Sequence, residues 1–297
     1  MKQLKIAYIT YSGAVKYLPA NGFNEAEDLL PYLQKKGVDI KAEIWDDTSV
    51  NWKDYDVALL KMPWDYHQKY PRFKNWLDDL QKSGLRLLND FDIVRWNMDK
   101  HYLTDIANKG FEVIPTIFLD KEWNGKLLPL FTELQTDELI LKPCVSGGSK
   151  NTIVLDKHST TEKSVIVYSL LKEGDFMVQP LMHEVENGEW SFVFFNNVYS
   201  HTVIKKPKPG DFRVQQVYGG SITTVYPKQS DIDYAAAYLQ SFADNAFYAR
   251  VDGLMVNGKF LLMELELIEP FLYLSYGDGA VERYYNALQE QLSLLSL

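Results

Sequence analysis

The stretch Ala249-Arg-Val-Asp-Gly-Leu-Met-Val-Asn-Gly-Lys-Phe-Leu-Leu-Met-Glu-Leu-Glu-Leu-Ile-Glu-Pro270 constrains this chain most tightly. Two largely apolar runs flank Asn257-Gly258, a pair that favours a tight hairpin turn. Residues 248–256 and 260–267 are therefore expected to be antiparallel strands. Asp252 lies on the first; Glu264 and Glu266 lie on the second. Side chains alternate along a strand, so Glu264 and Glu266 share a face. Two like charges among Leu261, Leu262, Met263, Leu265, Leu267 and Ile268 repel, and are costly to bury without a cation. Hard oxygen ligands so arranged suit Mg²⁺ shared with nucleotide phosphates. A solvated edge face is the plainer alternative.

Asp252 can join Glu264 at a metal only if both point to one side. A two-residue turn pairs Val256 with Lys259 and, counting back, Asp252 with Met263, which turns Glu264 away. A shared site therefore predicts an odd-length loop, Asn257 to Lys259, or a β-bulge, despite the Asn-Gly signal. Glu266 would then be a third acid on that face.

Upstream the pattern changes. Leu4 to Thr10 reads as a buried strand followed by a Gly-containing turn. Glu25 to Lys36 has helical spacing and ends at Gly37; Pro31 inside it predicts a late start or a kink. Ile40 to Trp45, Asp56 to Lys61 and Arg86 to Leu88 read as strands, with an amphipathic helix at Phe73 to Lys82. Alternating strands and helices imply a parallel, doubly wound sheet. One helix is expected at 92–108, then strands at 113–119, 138–143, 152–155 and 175–179, with a helix at 161–171. Strands dominate after Glu189, at 190–195, 198–204 and 222–226, with helices at 231–243 and 280–294.

A formal net charge of -9 and no basic arm argue against nucleic acid as a partner. Cys144 is the only cysteine, so an intrachain disulfide is impossible and no Cys/His metal cluster is expected. Met1 to Thr10 lacks the features of a signal peptide, and no apolar run is long enough to span a membrane. The expected setting is a reducing one, the cytoplasm, without a membrane partner. Oligomeric state is left open, a homodimer included.

Two further stretches carry chemistry. In Glu138-Leu-Ile-Leu-Lys-Pro-Cys-Val-Ser-Gly-Gly-Ser149, an apolar strand delivers Lys142 to a loop of Ser146, Gly147, Gly148 and Ser149. Adjacent glycines let successive N–H groups converge on an anion, and a strand-borne Lys can hold phosphate as a point charge. An ordinary turn with a solvated Lys is the alternative. In Asp175-Phe-Met-Val-Gln-Pro-Leu-Met182, backbone groups beside Leu181 and Met182 could read an adenine edge; plain core is the alternative.

Taken in order along the chain, these pieces resemble the ATP-grasp family, and within it the ATP-binding half of bacterial glutathione synthetase. The resemblance covers about residues 86 to 270. It implies an α/β protein, mixed α+β in its C-terminal half, with an ATP-grasp fold behind an N-terminal doubly wound (pre-ATP-grasp) domain. The segments would be 1–95 on the substrate side, 96–180 with Lys142 and a lid loop, and 181–297 with the metal site. Asn89 and Asn97-Met-Asp-Lys100 look like the family's entry to the central domain, with Lys100 on ATP. Lys142 looks like the second ATP lysine. Gln179, Pro180, Leu181 and Met182 look like the adenine hinge, and Glu189 like a nucleotide-contacting acid. Arg213 looks like the phosphate-side arginine, and Asp252 and Glu264 like the metal carboxylates.

This sequence departs from the family at Glu266, where an Asn is usual, and at Ser191, where the glutathione enzyme has an Arg. The stretches Leu60 to Tyr66, Ser200 to Pro207 and Met263 to Pro270 resemble a subgroup containing the cyclo-ligase of cycloserine biosynthesis. The resemblance implies a ligase using ATP and Mg²⁺, with Mn²⁺ as a substitute. It would join a small carboxylate to an amine through an acyl phosphate, with Arg213 and Lys142 as catalytic residues. Candidate substrate residues are Trp64, Asp65, Lys205 and Lys206. His201 and Cys144 are read as structural. The alternatives are a phosphotransferase acting on a hydroxyl and a non-catalytic nucleotide-binding protein.

Overall fold

A computed structural model describes residues 3–13 and 23–295. Met1 and Lys2 of the N-terminal run lie outside the described residues. Four parallel strands open the fold: β1 (Ile6–Thr10), β2 (Ile40–Ile44), β3 (Val57–Leu60) and β4 (Arg86–Leu88), in the order β2-β1-β3-β4. Alternation sends Ile6, Tyr8, Val57 and Leu59 to one core, and Ala7, Ile9, Ala58 and Leu60 to another. The first core is closed by α1 (Glu25–Lys35), the second by α2 (Tyr70–Ser83). The expected doubly wound arrangement is present.

Helix α1 starts at Glu25 and runs through Pro31 without the late start expected for it. Pro31 and Glu27 both lie on the exposed side, where water can take the carbonyl that proline leaves without a donor. The helix expected at 92–108 is two, α3 (Phe91–Asn97) and α4 (Tyr102–Asn108). Between them the Asp99 carboxylate accepts from the His101 N–H at 3.1 Å, a local bond that competes with the helix. Lys100 sits in that break.

A second sheet, antiparallel in order β5-β8-β6-β7, contains β5 (Ile117–Leu119), β6 (Glu138–Pro143), β7 (Ile153–Asp156) and β8 (Phe176–Pro180). The strand expected from residue 113 begins only at Ile117, because Pro115 has no N–H for the ladder. Helices α5 (Leu128–Glu133), which the sequence pattern did not suggest, and α6 (Thr160–Leu171) cover one face through Leu130, Phe131, Val167 and Leu171.

The third sheet is antiparallel in order β11-β10-β9-β12-β13. Its strands are β9 (Glu189–Phe195), β10 (Val198–Lys206), β11 (Ser221–Val225), β12 (Tyr248–Val256) and β13 (Lys259–Glu266). One face packs Phe192, Phe194, Val251 and Leu265 against α4 and α7 (Gln229–Phe242). The last helix, α8 (Ala280–Leu295), returns to the first sheet, where Tyr284 and Leu288 pack with Tyr8 and Leu59. Sequence segments and packing units therefore do not coincide at the C-terminus. No helix among the described residues is long and apolar enough to cross a membrane.

Candidate active site

The β12–β13 hairpin resolves the phase problem with a bulge. Its turn has two residues, pairing Val256 with Lys259, and Asn257 and Gly258 take the left-handed angles such a turn needs. The register then slips, so Gly253 faces Leu262 while Asp252 faces Glu264. Met263 is the extra residue. Gly253 permits this close approach: a Cβ there would lie 2.3 Å from the Leu261 carbonyl oxygen. Asp252 and Glu264 thus share a face, as a common site requires.

That face carries a polar network set by strand pairing. Arg250 faces Glu266, Ser191 faces Asp252, and Lys205 faces Glu189. Buried Asp252 accepts at Oδ1 from Ser191 (2.7 Å) and Arg250 Nε (3.0 Å). Its Oδ2 accepts from Lys205 (3.1 Å) and Arg250 (2.9 Å). Glu266 also accepts from Arg250, and Glu264 Oε1 pairs with Lys100 at 3.1 Å. Burial opposes ionisation of Asp252, but Arg250 and Lys205 outweigh it and hold its carboxyl below the usual range. Burial dominates at Glu266, pushing it up to about 7 against the pull of Arg250. The expected mutual repulsion of three acids is corrected: Lys100, Lys205 and Arg250 already neutralise them.

Opposite this network, the second sheet contributes Lys142 from β6. Its ammonium donates to Gln179 Oε1 at 3.3 Å, and Gln179 in turn donates to Thr116 at 2.9 Å. Burial lowers the pKa of Lys142, offset in part by Glu264 and Glu189. Burial also works against Lys100, but Glu264 and Glu266 outweigh it and its pKa rises. A cleft of about 470 Å³ lies between the two sheets. It is lined by Lys100, Lys142, Ser146 to Ser149, Gln179 to Met182, Glu189, Arg213, Asp252, Glu264 and Glu266. Residues from five separated stretches of sequence thus meet in one cavity.

Several expectations need correction. Asp65 does not line the cleft; it is buried, accepting from Trp45 Nε1 (2.7 Å) and Lys69 (2.6 Å). Trp64 does line it, donating through Nε1 to the Glu269 carbonyl at 3.0 Å. Lys205 lines the cleft but is engaged by Glu189 and Asp252, whereas Lys206, next along β10, is exposed away from it. The Leu181 N–H is already bonded to the Glu138 carbonyl at 2.9 Å, so it is not a free donor for adenine. Asn89 and Asn97, read as the entry to the central domain, clamp backbone there: Asn97 bonds both Leu265 O and Leu267 N, covering the outer edge of β13. Cys144 is buried as expected, yet its Sγ lies with Asp99 and His101 ligand atoms within 4.8 Å of one another, a grouping the sequence reading excluded.

The N-terminal portion, residues 6–89, matches the family model described as D-cycloserine synthetase DcsG, N-terminal domain. The cycloserine biosynthesis protein DcsG of Streptomyces lavendulae is 26% identical over 285 residues, 89% of this chain and 94% of that protein. A crystal structure of D-cycloserine synthetase DcsG superposes with a TM-score of 0.82 at 24% identity, covering 97% of this chain and 99% of that chain. D-alanine–D-alanine ligase from Bacillus anthracis complexed with ATP gives 0.70 at 16% identity, covering 99% and 97%. ATP-grasp ligase PsnB complexed with minimal precursor, Mg and ADP gives 0.63 at 11% identity, covering 97% and 98%. This chain has the ATP-grasp fold. The likeness to DcsG extends over 89% of this chain in sequence and 97% in structure, well beyond residues 86 to 270.

Four residues, three of them in the cleft, carry weight that sequence reasoning did not assign. Arg250 stands two residues before Asp252, so strand alternation alone places both on one face. Glu269 closes the acid-rich run after β13 and lines the cleft. His67 also lines it, with Nδ1 buried and unpartnered among the described residues, against Gly147 of the Ser/Gly loop. Burial, with Lys150 and Lys100 nearby, lowers the His67 pKa. Glu25 is remote but decisive: buried with Lys61 at 2.6 Å, it accepts from the Leu272 and Leu274 N–H groups.

The donor set fits a hard divalent cation. Glu264 and Glu266 are partly open to the cleft, and the contacts described for each use one oxygen, Oε1. Asp252 has both oxygens engaged, so it contributes charge on a face where the other two acids have oxygen to offer.

Proposed function

We propose that this protein is an ATP-dependent carboxylate–amine ligase. It converts a small, amino-acid-type carboxylate to an acyl phosphate and transfers the acyl group to an amine, releasing ADP and phosphate. One observation carries the reading: two lysines, a Ser/Gly loop and a face of hard-oxygen acids converge on one cleft in an ATP-grasp fold. The likeness to a D-cycloserine synthetase and a D-alanine–D-alanine ligase supports a small amino-acid-type substrate.

Adenine is assigned to the segment Gln179 to Met182, and the phosphates to Lys100 and Lys142. Mg²⁺ held by Glu264 and Glu266, beside the charge of Asp252, would neutralise phosphate charge. Phosphoryl transfer needs alignment and charge neutralisation more than covalent help. Gln179 aims Lys142 through its 3.3 Å contact. Arg250 keeps Asp252 and Glu266 in place and cannot lose its proton under ordinary conditions. Arg213, paired with Asp211 at 2.8 Å and lying over the Tyr218 ring, is assigned to the acyl phosphate and the later oxyanion. Closure of the Ser146–Asn151 loop would exclude water from the acyl phosphate.

The test is incubation with ATP, Mg²⁺, hydroxylamine and a panel of amino acids. A hydroxamate formed with ADP is expected. ADP formed on a hydroxyl substrate without hydroxamate would replace the ligase reading with phosphotransfer. Absence of ATP binding would leave a non-catalytic protein.

A further inference from the structure

Among the described residues, the Glu269 carboxylate has no hydrogen-bond or ion-pair partner, although the other cleft acids all do. It lines the cleft beside Trp64 and Phe271, on the loop directly after β13. That loop is fixed: the Glu269 carbonyl accepts from Trp64, the Pro270 carbonyl from Lys61 (2.9 Å) and the Phe271 carbonyl from Arg250 (2.7 Å). A carboxylate on so rigid a backbone, lining the cleft with no ion-pair or hydrogen-bond partner in direct contact, matches a cation brought by a ligand.

Its position says where on the substrate that cation lies. Glu269 feels the charges of Glu266, Lys100, Glu264 and Arg250, the groups around the proposed phosphate end, though neither cation touches its carboxylate. The reacting carboxylate must come to that end, so the cation belongs close to it in the same molecule. An α-ammonium, one carbon removed from a carboxylate, has that spacing.

Resting on the ligase reading, we propose that Glu269 binds the free ammonium of the acyl donor, restricting donors to unmodified amino acids. Burial, reinforced by Glu266, raises the carboxyl of Glu269 above its usual range, so an arriving ammonium would also stabilise its ionised form.

The full chain is assayed with ATP, Mg²⁺ and hydroxylamine against D- and L-amino acids, each beside its N-acetyl derivative. Free amino acids are expected to give hydroxamate and their acetylated partners none. Glu269→Gln is expected to raise KM for the best donor about tenfold or more, from loss of a charge-assisted bond, with the Kd for ATP and Mg²⁺ by calorimetry unchanged. Equal reaction of acetylated donors, or an unchanged KM in Glu269→Gln, overturns the proposal while the ligase reading stands. Weakened ATP and Mg²⁺ binding in that variant overturns it by placing Glu269 among the metal ligands. If no donor gives hydroxamate, the ligase reading falls, and the proposal with it.

Discussion

Every residue from 269 to 274 gives a backbone group to a side chain elsewhere in the fold, whereas the backbone bonds of the Ser/Gly loop at 146–151 are longer, 3.2–3.4 Å, and its shortest ties, 3.0 Å each, run through the Ser146 and Ser149 hydroxyls. In the first loop, Trp64, Lys61 and Glu25 reach in from the N-terminal portion, and Arg250 and His201 from the third sheet. Tyr273 is held in the left-handed region at φ 51, uncommon for an aromatic residue, with its carbonyl on His201 at 3.1 Å. In the second, Lys150 N–H to Gly147 and Thr152 N–H to Ser149 are each 3.3 Å, and Tyr218 reaches the Gly148 carbonyl at 3.4 Å. Rigidity thus lies in the loop proposed to orient a substrate, and the longer backbone bonds in the loop proposed as a lid.

Cutting the clamp is expected to have the largest effect. Glu25→Ala leaves Lys61 buried without its partner and frees two N–H groups, a loss of about 3–5 kcal/mol in urea unfolding. A loss below about 1 kcal/mol would show that the loop is held without Glu25.

The same loop is expected to be sensitive to acid. His201 donates through Nε2 to the Leu272 and Tyr273 carbonyls, and burial pushes its pKa down to about 4. The unfolded chain, with an ordinary histidine, binds the proton first. The contribution of His201 is therefore full above about pH 6.5 and lost as pH falls toward 4, about 3 kcal/mol in all. Unfolding measured across that window should show the slope in the wild type and less of it in His201→Gln.

On the nucleotide side, effects should fall on binding and leave the fold intact. Lys142→Ala is expected to weaken ATP binding by about 1.5–3 kcal/mol, read by calorimetry, with little change in Tm. Unchanged affinity would remove Lys142 from the phosphate site. The smallest effect is expected in the loop proposed as the lid. Gly148 sits at φ 62 with open space around its Cβ position, so Gly148→Ala should cost about 1–2 kcal/mol locally at most. Turnover should fall more than Tm; a large drop in Tm would show the lid to be part of the stable core.

Much of the cleft could be read from local pattern. Lys142 ends an apolar strand run before a Ser/Gly loop, and Glu264 and Glu266 alternate on another, so their residue types and faces follow from spacing alone. Even the bulge in the hairpin followed from requiring Asp252 and Glu264 to share a side, and it appears at Met263. The failures were of another kind. Lys205 and Lys206 differ only by strand alternation, and which one faces the cleft depends on how β10 lies against β9. Asp65 follows a buried strand, as a ligand-binding acid would, but Trp45 and Lys69 take it up. Glu25 reads as an ordinary acid in the first turn of a helix, and nothing nearby in sequence marks it as buried.

By itself, the sequence determined which segments are strands, which faces they bury and which acids and lysines stand on the polar faces. Hydrophobic spacing and turn chemistry act over a few residues, and a local reading recovers them. Only the tertiary structure decided how those charges pair. Arg250, Lys205 and Lys100 come from two strands and a helix break, far apart in the chain, and reach the acids only through the order of β10, β9, β12 and β13. Coulomb energy depends on distances of a few ångströms set by that order. The same order leaves Glu269 as the cleft acid without a partner among the described residues.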